Sequence, residues 1–514
     1  MNKYDAIVIG AGHNGLTTAA LLGQAGRSVL VLERRDVVGG LAASEEFHPG
    51  YRSAGVLSDT GLVRGRVISK LGLEKHGLKL RSAPPSVLAL GNGEGEPLLI
   101  DGREDRAAAA IGRVSAKDGK RYPEYRAFLA RIAPALEELF DRPAIDLVDI
   151  ESESLWDLGK RGLRVRRLGK DDLMELLRLP PMCVADVLGE YFESDLLQAA
   201  LALPALEGTF TGPWSPGNAI NLLRRECLGG PGVEGSGPAL VAALHNAALA
   251  AGVEIRTGAA VASLRLGSQG VTGVTLEDGE TIDARVVASS CHPLHTLCTM
   301  LPPGAIEHRL EHRLRSIRNR GSVSQVLLAC RRPPRFGADG VEFARTGAHV
   351  DDLERAFDAI KYGEVSPTPI LDIHVASQGD ATLAPKGHAV VSVLVYFTPY
   401  ALKGGWTDAA RDAVGEQVVQ LLARHDAELP EHVVGRQVLT PVDLEARYGL
   451  PGGHLFHGEH SLDQLMIRPT PECIHHDTPI PGLFVCGSGS HPGGGLSCAP
   501  GELAARAISG RKAR

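Results

Sequence analysis

A short apolar run that ends in a glycine-rich turn constrains the fold of this chain more than any other feature. Residues 4–9 (YDAIVI) are typical of a buried parallel strand, and residues 10–15 (GAGHNG) follow at once. A helical apolar pattern then continues to Gly26, and residues 28–32 (SVLVL) form a second strand pattern. A strand–helix–strand unit of this length indicates a dinucleotide-binding domain.

Each glycine of the turn has a physical role. Gly10 permits the tight turn, Gly12 lets the backbone approach a pyrophosphate, and Gly15 lets the helix pack close to the strand. The start of the helix offers free N–H groups and a positive dipole end to the phosphates. A carboxylate 23 positions after Gly10 is placed to accept from ribose hydroxyls. The predicted dinucleotide contacts are therefore Gly10, Gly12, His13, Asn14, Gly15 and Glu33.

A second copy of the glycine pattern shows that the pattern alone is weak evidence. Residues 230–235 (GPGVEG) fit it, but they follow the charged residues 224–226 (RRE) rather than an apolar strand. Pro231 also removes a backbone donor. We expect a loop there, and no second dinucleotide site.

The residues after Glu33 favour FAD over NAD. A second glycine pair, at 39–40, follows the acidic residue and suggests another close backbone approach to the same ligand. A dinucleotide that extends past the first turn towards a flavin needs this approach, whereas NAD does not. The predicted contacts in this segment are Arg34, Gly40, Leu41 and Ala42.

Residues 5–44 (DAIVIGAGHNGLTTAALLGQAGRSVLVLERRDVVGGLAAS) resemble the N-terminus of phytoene-desaturase-like FAD oxidoreductases, a group that includes carotenoid isomerases. The group belongs to the wider amine-oxidase and glutathione-reductase-like flavoproteins. Further blocks of the chain resemble the same group, and 487–495 (GSGSHPGGG) match the branch with the pattern GSGxHPGGG. These blocks are 185–193, 207–218, 235–257, 452–465 and 482–501.

The resemblance implies FAD contacts in the middle and at the end of the chain. Val261 would contact the adenine through its backbone, and Gly487 and Ser488 would contact the pyrophosphate and ribityl chain. Many relatives have Asp where this chain has Ser488, which predicts a weaker or rearranged ribityl contact. Three residues would face the isoalloxazine ring, ahead of a C-terminal helix: Gly495, Leu496 and Ser497.

Because the FAD motifs lie in three separate stretches, the FAD-binding domain must be discontinuous. The predicted fold class is α/β, a Rossmann-type (glutathione-reductase-like) FAD-binding domain with an inserted α+β substrate domain. We expect helices over 104–141 and 171–202, and strands within 319–330, 369–376 and 388–397. The predicted boundaries are 1–75, 228–300 and 445–514 for the FAD-binding domain, and 76–227 and 301–444 for the substrate-binding domain.

A flavin carries hydride chemistry itself, so the protein needs only to position the substrate and to move a proton. The candidate proton-transfer residues are polar side chains of the C-terminal glycine-rich segments. An equally physical interpretation is that these side chains order the loops, since a base must also reach the substrate. The same holds for His48 and Tyr51 after the first FAD block. The candidates are His454, His457, Glu459 and His491.

These features predict an FAD-dependent oxidoreductase that desaturates or oxidises a largely apolar organic substrate, polyene- or isoprenoid-like or otherwise lipid-like. Electrons would pass to O2, a quinone or another soluble acceptor, because no second nucleotide site is predicted. Two alternatives stay open. One is a redox-neutral FAD-dependent isomerase, and the other is a non-catalytic FAD-binding interaction protein.

Composition narrows the partners and the compartment. The net charge of −7 argues against a nucleic-acid partner, which needs clustered Lys and Arg. Eight Cys without a Cys-x-x-Cys pair predict no metal site and a reducing compartment. No signal-peptide pattern and no run of ~18 apolar residues occurs, which predicts a cytoplasmic protein. The basic stretch 160–170 is typical of a solvated segment or of peripheral contact with an anionic membrane.

Overall fold

The structure, a computed structural model, describes residues 4–144, 166–338 and 340–510, together with Gly159, Gly162 and Leu163. Its strands are β1 Tyr4–Ile9, β2 Val29–Leu32, β3 Glu46–His48, β4 Tyr51–Arg52, β5 Val87–Gly91, β6 Leu98–Ile100, β7 Glu254–Arg256, β8 Val261–Gly267, β9 Gly270–Leu276, β10 Thr281–Ser289, β11 Val323–Cys330, β12 Phe343–Thr346, β13 Ile370–Val375, β14 Ala389–Tyr396, β15 Val433–Leu439 and β16 Leu483–Val485.

Helices connect and cover these strands. Their bounds are His13–Gln24, Gly65–Leu71, Glu104–Val114, Ala116–Phe140, Gly169–Arg178, Val184–Tyr191, Asp195–Leu206, Ala219–Leu228, Ser236–Ala250, His308–Arg315, Val350–Lys361, Ala376–Gly379, Asp408–Ala423, Leu429–His432, Pro441–Tyr448 and Ala499–Gly510.

The first sheet has the order β7-β2-β1-β10-β9-β8, and β16 pairs with β10 on the other side. Strands β7, β2, β1, β10 and β16 run parallel, with Ile7 of β1 opposite Leu30 and Val287. Helix His13–Gln24 connects β1 to β2, as the sequence predicts. A parallel sheet covered by helices is the Rossmann-type arrangement, so the predicted α/β fold class is confirmed.

Strand β10 joins this parallel sheet to a three-stranded antiparallel meander. Its residues 281–283 pair with β9, and from Ala284 onward it pairs with β1. The residues between β9 and β10 form a tight turn at Asp278 and Gly279. The hairpin leads into the part of β10 that ends at the site.

The second sheet has the order β15-β11-β14-β13-β12-β5-β6. Its neighbours are antiparallel except for the parallel pair β12 and β5. The strands predicted from 319–330, 369–376 and 388–397 are confirmed as β11, β13 and β14. No strand is predicted at β5, β6, β12 or β15, because these strands are short or only partly buried and so carry a weak apolar pattern. The domain boundaries themselves stay a prediction.

Both predicted helical stretches are divided into shorter helices. The stretch 104–141 breaks at Ser115, whose side chain accepts from the Asp118 amide and so begins a new helix. The stretch 171–202 breaks at Pro180 and Pro181 and again at residues 192–194. The predicted helical character of both stretches is confirmed, and capping and proline chemistry set the breaks between the helices.

Across the part of the chain that the structure describes, no helix has both the length and the apolar character needed to span a bilayer. The basic stretch 160–170 falls partly outside the described residues, at 160, 161, 164 and 165. Its predicted contact with a membrane surface stays a prediction.

Candidate active site

Four parallel strands of the first sheet end at the same edge. Gly10 follows β1, Glu33 follows β2, Ser290 follows β10, and Cys486 follows β16. Ligands of open α/β sheets bind outside the carboxyl ends of the strands. The predicted FAD residues at the two ends of the chain therefore meet at the edge where such a ligand binds.

The geometry of the first turn requires two of its glycines and leaves space at the third. Gly10 has a φ of +91°, and a Cβ on Gly15 would lie 2.0 Å from the Gly10 carbonyl oxygen. A Cβ on Gly12, by contrast, would meet no atom within 4 Å. The backbone at Gly12 therefore borders open space, as a close approach to a pyrophosphate requires.

The second glycine pair lies against the first. The Gly39 amide donates to the Ala11 carbonyl at 2.8 Å, and Gly12 and Gly39 form an isolated parallel bridge. A Cβ on Gly40 would lie 3.3 Å from the Gly12 Cα. The Leu41 carbonyl next to it accepts from the Val56 amide at 2.7 Å. The structure thus brings the two predicted FAD segments together around one space, with buried Ala42 behind it.

Glu33 is buried at the end of β2 and holds the turn. One carboxylate oxygen accepts from the Ala11 amide at 2.7 Å and the other from the Arg35 amide at 3.0 Å. Each oxygen retains a lone pair for a ribose hydroxyl. The Ala259 amide donates to the Glu33 carbonyl at 2.8 Å, which places the start of β8, with Val261, close to this end of the site.

Ser290, which is not among the predicted site residues, lies between the glycine turns. Its hydroxyl donates to the Ile9 carbonyl at 2.8 Å, and a Cβ on Gly10 would lie 2.4 Å from this hydroxyl oxygen. A Cβ on Gly487 would lie 2.2 Å from the Ser290 carbonyl oxygen. Ser290 therefore joins the N-terminal and C-terminal glycine turns, and no sequence motif marks it.

The first turns of helices His13–Gln24 and Ala499–Gly510 pack against each other. A Cβ on Gly501 would lie 2.2 Å from the Asn14 carbonyl oxygen, and the Thr18 hydroxyl donates to the Gly501 carbonyl at 2.9 Å. Two positive helix ends thus converge beside the open space at Gly12. This arrangement fits an anionic pyrophosphate.

Buried polar atoms in the same place also fit a bound cofactor. Nε2 of His13 and Oδ1 of Asn14 have no hydrogen-bond partner within the described ranges. Burial lowers the pKa of His13 to about 4, so its imidazole is neutral and can donate or accept. The Asn14 side-chain amide donates to the Ser488 hydroxyl at 3.3 Å, which joins two predicted cofactor residues.

The other predicted FAD residues are distributed as follows. The Ser497 hydroxyl accepts from the Ala499 amide at 3.3 Å and so caps the C-terminal helix, and Gly495 has a φ of +85°. Leu496 is buried beside a cavity. The Arg34 guanidinium is directed elsewhere, because it donates to the Arg447 carbonyl at 2.7 Å.

A cavity of about 450 Å³ extends to the second sheet from the flavin loop, the residues 494–497 that include those predicted to face the flavin. This volume lies within the ~300–1,000 Å³ typical of small-molecule sites. Its apolar wall includes Val56, Leu57, Leu62, Leu201, Phe456 and Leu496. Its charged side chains include Asp59, Glu207, Arg224, Arg225, Arg345 and Asp372.

Most of these charges are paired, but Arg224 is different. Arg225 pairs with Asp59, and the Arg345 Nε lies 3.4 Å from a carboxylate oxygen of Asp372. Arg224 forms no ion pair within the described chain; it hydrogen-bonds His460 Nδ1 and the Gly494 carbonyl, each at 2.7 Å. Burial lowers the pKa of Arg224 to about 9. This arginine therefore holds the flavin loop from the cavity side.

The predicted proton-transfer residues lie behind the cavity wall. His454 Nδ1 accepts from the Phe456 and Gly458 amides at 3.2 and 3.3 Å, and burial lowers its pKa to about 3. The pKa of His457 is held well below its usual value by burial. None of His454, His457 and His491 lines the cavity.

Contacts of the neighbouring residues support a structural role for this segment. Glu459 pairs with Arg320 at 2.8 Å, and His491 Nε2 hydrogen-bonds the Arg142 carbonyl at 3.0 Å. Phe456 and His460 of the same segment do line the cavity. The geometry favours loop ordering for the predicted histidines, and their role in proton transfer stays a prediction.

Comparison with known proteins identifies the family. Residues 8–61 match the model of an NAD(P)-binding Rossmann-like domain, and residues 92–506 match the model of flavin-containing amine oxidoreductases. The chain is 34% identical to the rat pyridine nucleotide-disulfide oxidoreductase domain-containing protein 2, over 98% of this chain and 93% of that protein.

Two further relatives carry more specific names. One of the subunits of limonene dehydrogenase from Castellaniella defragrans is 28% identical, over 99% of this chain and 95% of that protein. A phytoene desaturase of Cercospora nicotianae is 28% identical, over 76% of this chain and 61% of that protein. The phytoene-desaturase-like resemblance of the sequence is thereby confirmed.

The glycine turns around the open space at Gly12 form a cradle for a dinucleotide. The fold, this glycine cradle and the family matches define an FAD-dependent oxidoreductase. The chain belongs to the flavin-containing amine oxidoreductase family. An oxidoreductase of this class takes electrons from an organic substrate and passes them to an electron acceptor.

Proposed function

We propose that the protein removes two hydrogens from an organic substrate whose largely apolar body occupies the cavity. The observation that carries this proposal is the continuity of the cavity with the flavin loop, because Gly494, Gly495 and Leu496 form part of its wall. Bound FAD supplies the hydride acceptor. The resulting reaction is a desaturation or an oxidation.

The chain's own residues hold the cofactor and exclude water from it. The turn at Gly12 and the two helix ends would bind the pyrophosphate, and Glu33 would bind the ribose. Leu496, Phe456 and Leu62 would pack beside the reacting ring, since they border the cavity at the flavin loop. A hydride donor held there would be shielded from solvent.

The lining narrows the substrate class further. Apolar side chains around the cavity suit a hydrocarbon body, in line with relatives named for limonene and phytoene. The charged side chains of β12, β13 and helix Ala219–Leu228 suit a polar group on the same molecule. We therefore propose a substrate that combines the two, with O2, a quinone or another soluble compound as the electron acceptor.

Anaerobic bleaching of the flavin across a panel of lipids, alcohols, amines and polyenes tests this function. We expect at least one compound with an apolar body to bleach the flavin, and an added acceptor to restore the colour. Isomerisation of a compound without net acceptor reduction would replace the proposal with a redox-neutral isomerase. A flavin that dithionite bleaches but no organic compound does would contradict the proposal.

A further inference from the structure

Glu207 is a largely buried carboxylate of the cavity that accepts no hydrogen bond within the described part of the chain. Glu207 directly follows helix Asp195–Leu206 and lines the cavity together with the flavin loop. Its nearest cation is Arg225, whose Nη1 lies 3.5 Å from a carboxylate oxygen of Glu207. Glu207 therefore presents an acceptor to whatever fills the cavity.

Three other acids of the cavity are already engaged. Asp59 binds the Arg225 guanidinium and accepts from the Gly61 amide at 2.8 Å. Asp372 lies 3.4 Å from Arg345. Glu226 pairs with Arg126. Each of these carboxylates accepts a hydrogen bond from its arginine, whereas Glu207 faces Arg225 at 3.5 Å without one.

The two histidines of the cavity are also engaged. His460 uses both ring nitrogens, with Arg224 at Nδ1 and the Gly494 amide at Nε2. Burial holds its pKa well below the usual value. Nε2 of His374 lies 3.3 Å from Glu342 and its ring stacks on Phe343, while its Nδ1 has no partner within the described ranges. Among the largely buried carboxylates of the cavity, Glu207 is the one whose lone pairs no hydrogen-bond donor of the described chain occupies.

We propose that Glu207 is the catalytic proton acceptor of this oxidoreductase, an inference that rests on the proposed function. In the step, a substrate C–H bond breaks and its electron pair leaves with the hydrogen as hydride to the flavin. An H–X bond on the adjoining carbon, nitrogen or oxygen atom X breaks, and its proton passes to the Glu207 carboxylate. The electron pair left on X forms the new C=X bond.

The surroundings of Glu207 suit this role. Burial raises its pKa to about 7, the charges of Asp59 and Asp372 raise it further, and Arg225 and Arg345 oppose the shift. A base whose pKa lies near the working pH is efficient in both accepting and releasing a proton. The charged and titratable groups that interact with it are Arg224, Arg225, Asp59, Arg345, Asp372 and Tyr396.

The sign of the pH dependence follows from the role. Glu207 can accept a proton only when ionised, so flavin reduction should rise with pH through about 7 and level off above it. If the Glu207 carboxylate were only structural, replacing it would not remove this rising limb of the rate-versus-pH profile.

The test measures anaerobic flavin reduction against pH in the FAD-loaded protein, using a compound that bleaches the wild-type flavin. Glu207→Gln should slow reduction by ~10²–10⁴-fold and abolish the limb near neutral pH. Its FAD content and its reduction by dithionite should match wild type. Glu207→Asp should restore part of the rate together with a pH limb. Glu193→Gln, an exposed carboxylate outside the cavity, is the control and should leave both readouts unchanged.

A second measurement does not depend on turnover. Infrared difference spectra of the substrate-free protein, taken on either side of the expected pKa, should show a protonated carboxyl band that Glu207→Gln removes. A Glu207→Gln variant with the wild-type rate and limb would overturn the inference, and so would spectra in which the band persists. A wild-type flavin that no organic compound bleaches would instead contradict the proposed function itself.

Discussion

The proposed cofactor cradle and the proposed substrate cavity are neighbours at the flavin loop but are built in different ways. The cradle consists of backbone. Neighbouring atoms leave no room for a side chain at Gly10 or Gly15, whereas Gly12 borders the open space assigned to the ligand. The cavity consists of side chains from segments far apart in the sequence, such as Glu207, Arg345 and Asp372. A backbone site tolerates few substitutions, whereas a side-chain site can change its substrate without changing the fold.

The largest expected effect comes from filling the cradle. Gly12→Val should abolish FAD binding, because the new side chain would occupy the open space assigned to the pyrophosphate. Gly12 has a φ of −69°, so the variant keeps its backbone and should still fold. Flavin absorbance per chain after purification is the measurement.

Gly189→Val is the matched control for that variant. Gly189 is an exposed glycine with no atom within 4 Å of an added Cβ, and it lies in helix Val184–Tyr191 away from the cradle. The control should retain its FAD. Equal flavin content in wild type and Gly12→Val would refute the assignment of the cradle.

Removal of the ribose contact should weaken the cradle without destroying it. Glu33→Ala loses hydrogen bonds to a charged partner, a cost of ~1.5–3 kcal/mol, or roughly a 10- to 150-fold rise in the Kd for FAD. Titration of the apoprotein with FAD, followed by fluorescence, measures this rise. An unchanged Kd would show that the carboxylate serves only the backbone amides of Ala11 and Arg35.

A bulky residue in the cavity should impair the reaction with substrate without affecting FAD binding. Val87 of β5 lines the cavity far from the glycine turns in sequence, so Val87→Trp should reduce substrate-driven bleaching about tenfold, a loss of roughly 1.4 kcal/mol. FAD content should not change. Val114→Trp, at an exposed position outside the cavity, is the control. A loss of FAD in Val87→Trp alone would show that the two sites are not separable.

This difference also explains what the sequence could predict. The turn at Gly10 to Gly15, the strand β2 and Glu33 lie within one local unit, so spacing and residue type suffice to interpret them. The C-terminal contacts depended on the family resemblance, because no local rule connects Ser488 to Asn14.

The cavity could not be predicted in the same way. Arg224 and Arg225 stand in a run of charges that looks like a solvated helix face, and only packing shows that Arg224 is buried. Glu207 lies within the family-like segment 207–218, yet its exposure to the cavity depends on β12, β13 and helix Ala219–Leu228. Ser290 becomes visible only when β10 is placed beside β1.

Acidification should affect the cradle and the cavity through pKa shifts of opposite direction. Three neutral histidines are buried near the cradle, His13, His292 and His476, and burial lowers the pKa of each from 6.5 to about 4. The unfolded chain binds these protons more readily, so their contribution to stability is complete above pH 6.5 and is lost as the pH falls towards 4.

Thermal unfolding measured across this range checks the sign. The apparent Tm should fall steadily below pH 6.5. The free energy of unfolding should fall by ~1.4 kcal/mol per pH unit for each histidine that titrates. Proton transfer in the cavity should weaken already near pH 7, because the Glu207 pKa is raised. An apparent Tm that is constant from pH 6.5 to about 4 would contradict the burial of neutral histidines at the cradle.

The central claim is that the carboxyl edge of the first sheet holds one FAD per chain without a covalent bond. Cys498 directly follows Ser497, which is predicted to face the ring; burial raises the pKa of its thiol to about 12, so a reactive thiolate is scarce. Quantifying the flavin released by heat denaturation tests the claim most directly. The account predicts a yellow protein whose supernatant contains one FAD per chain; a supernatant without a flavin spectrum would contradict it.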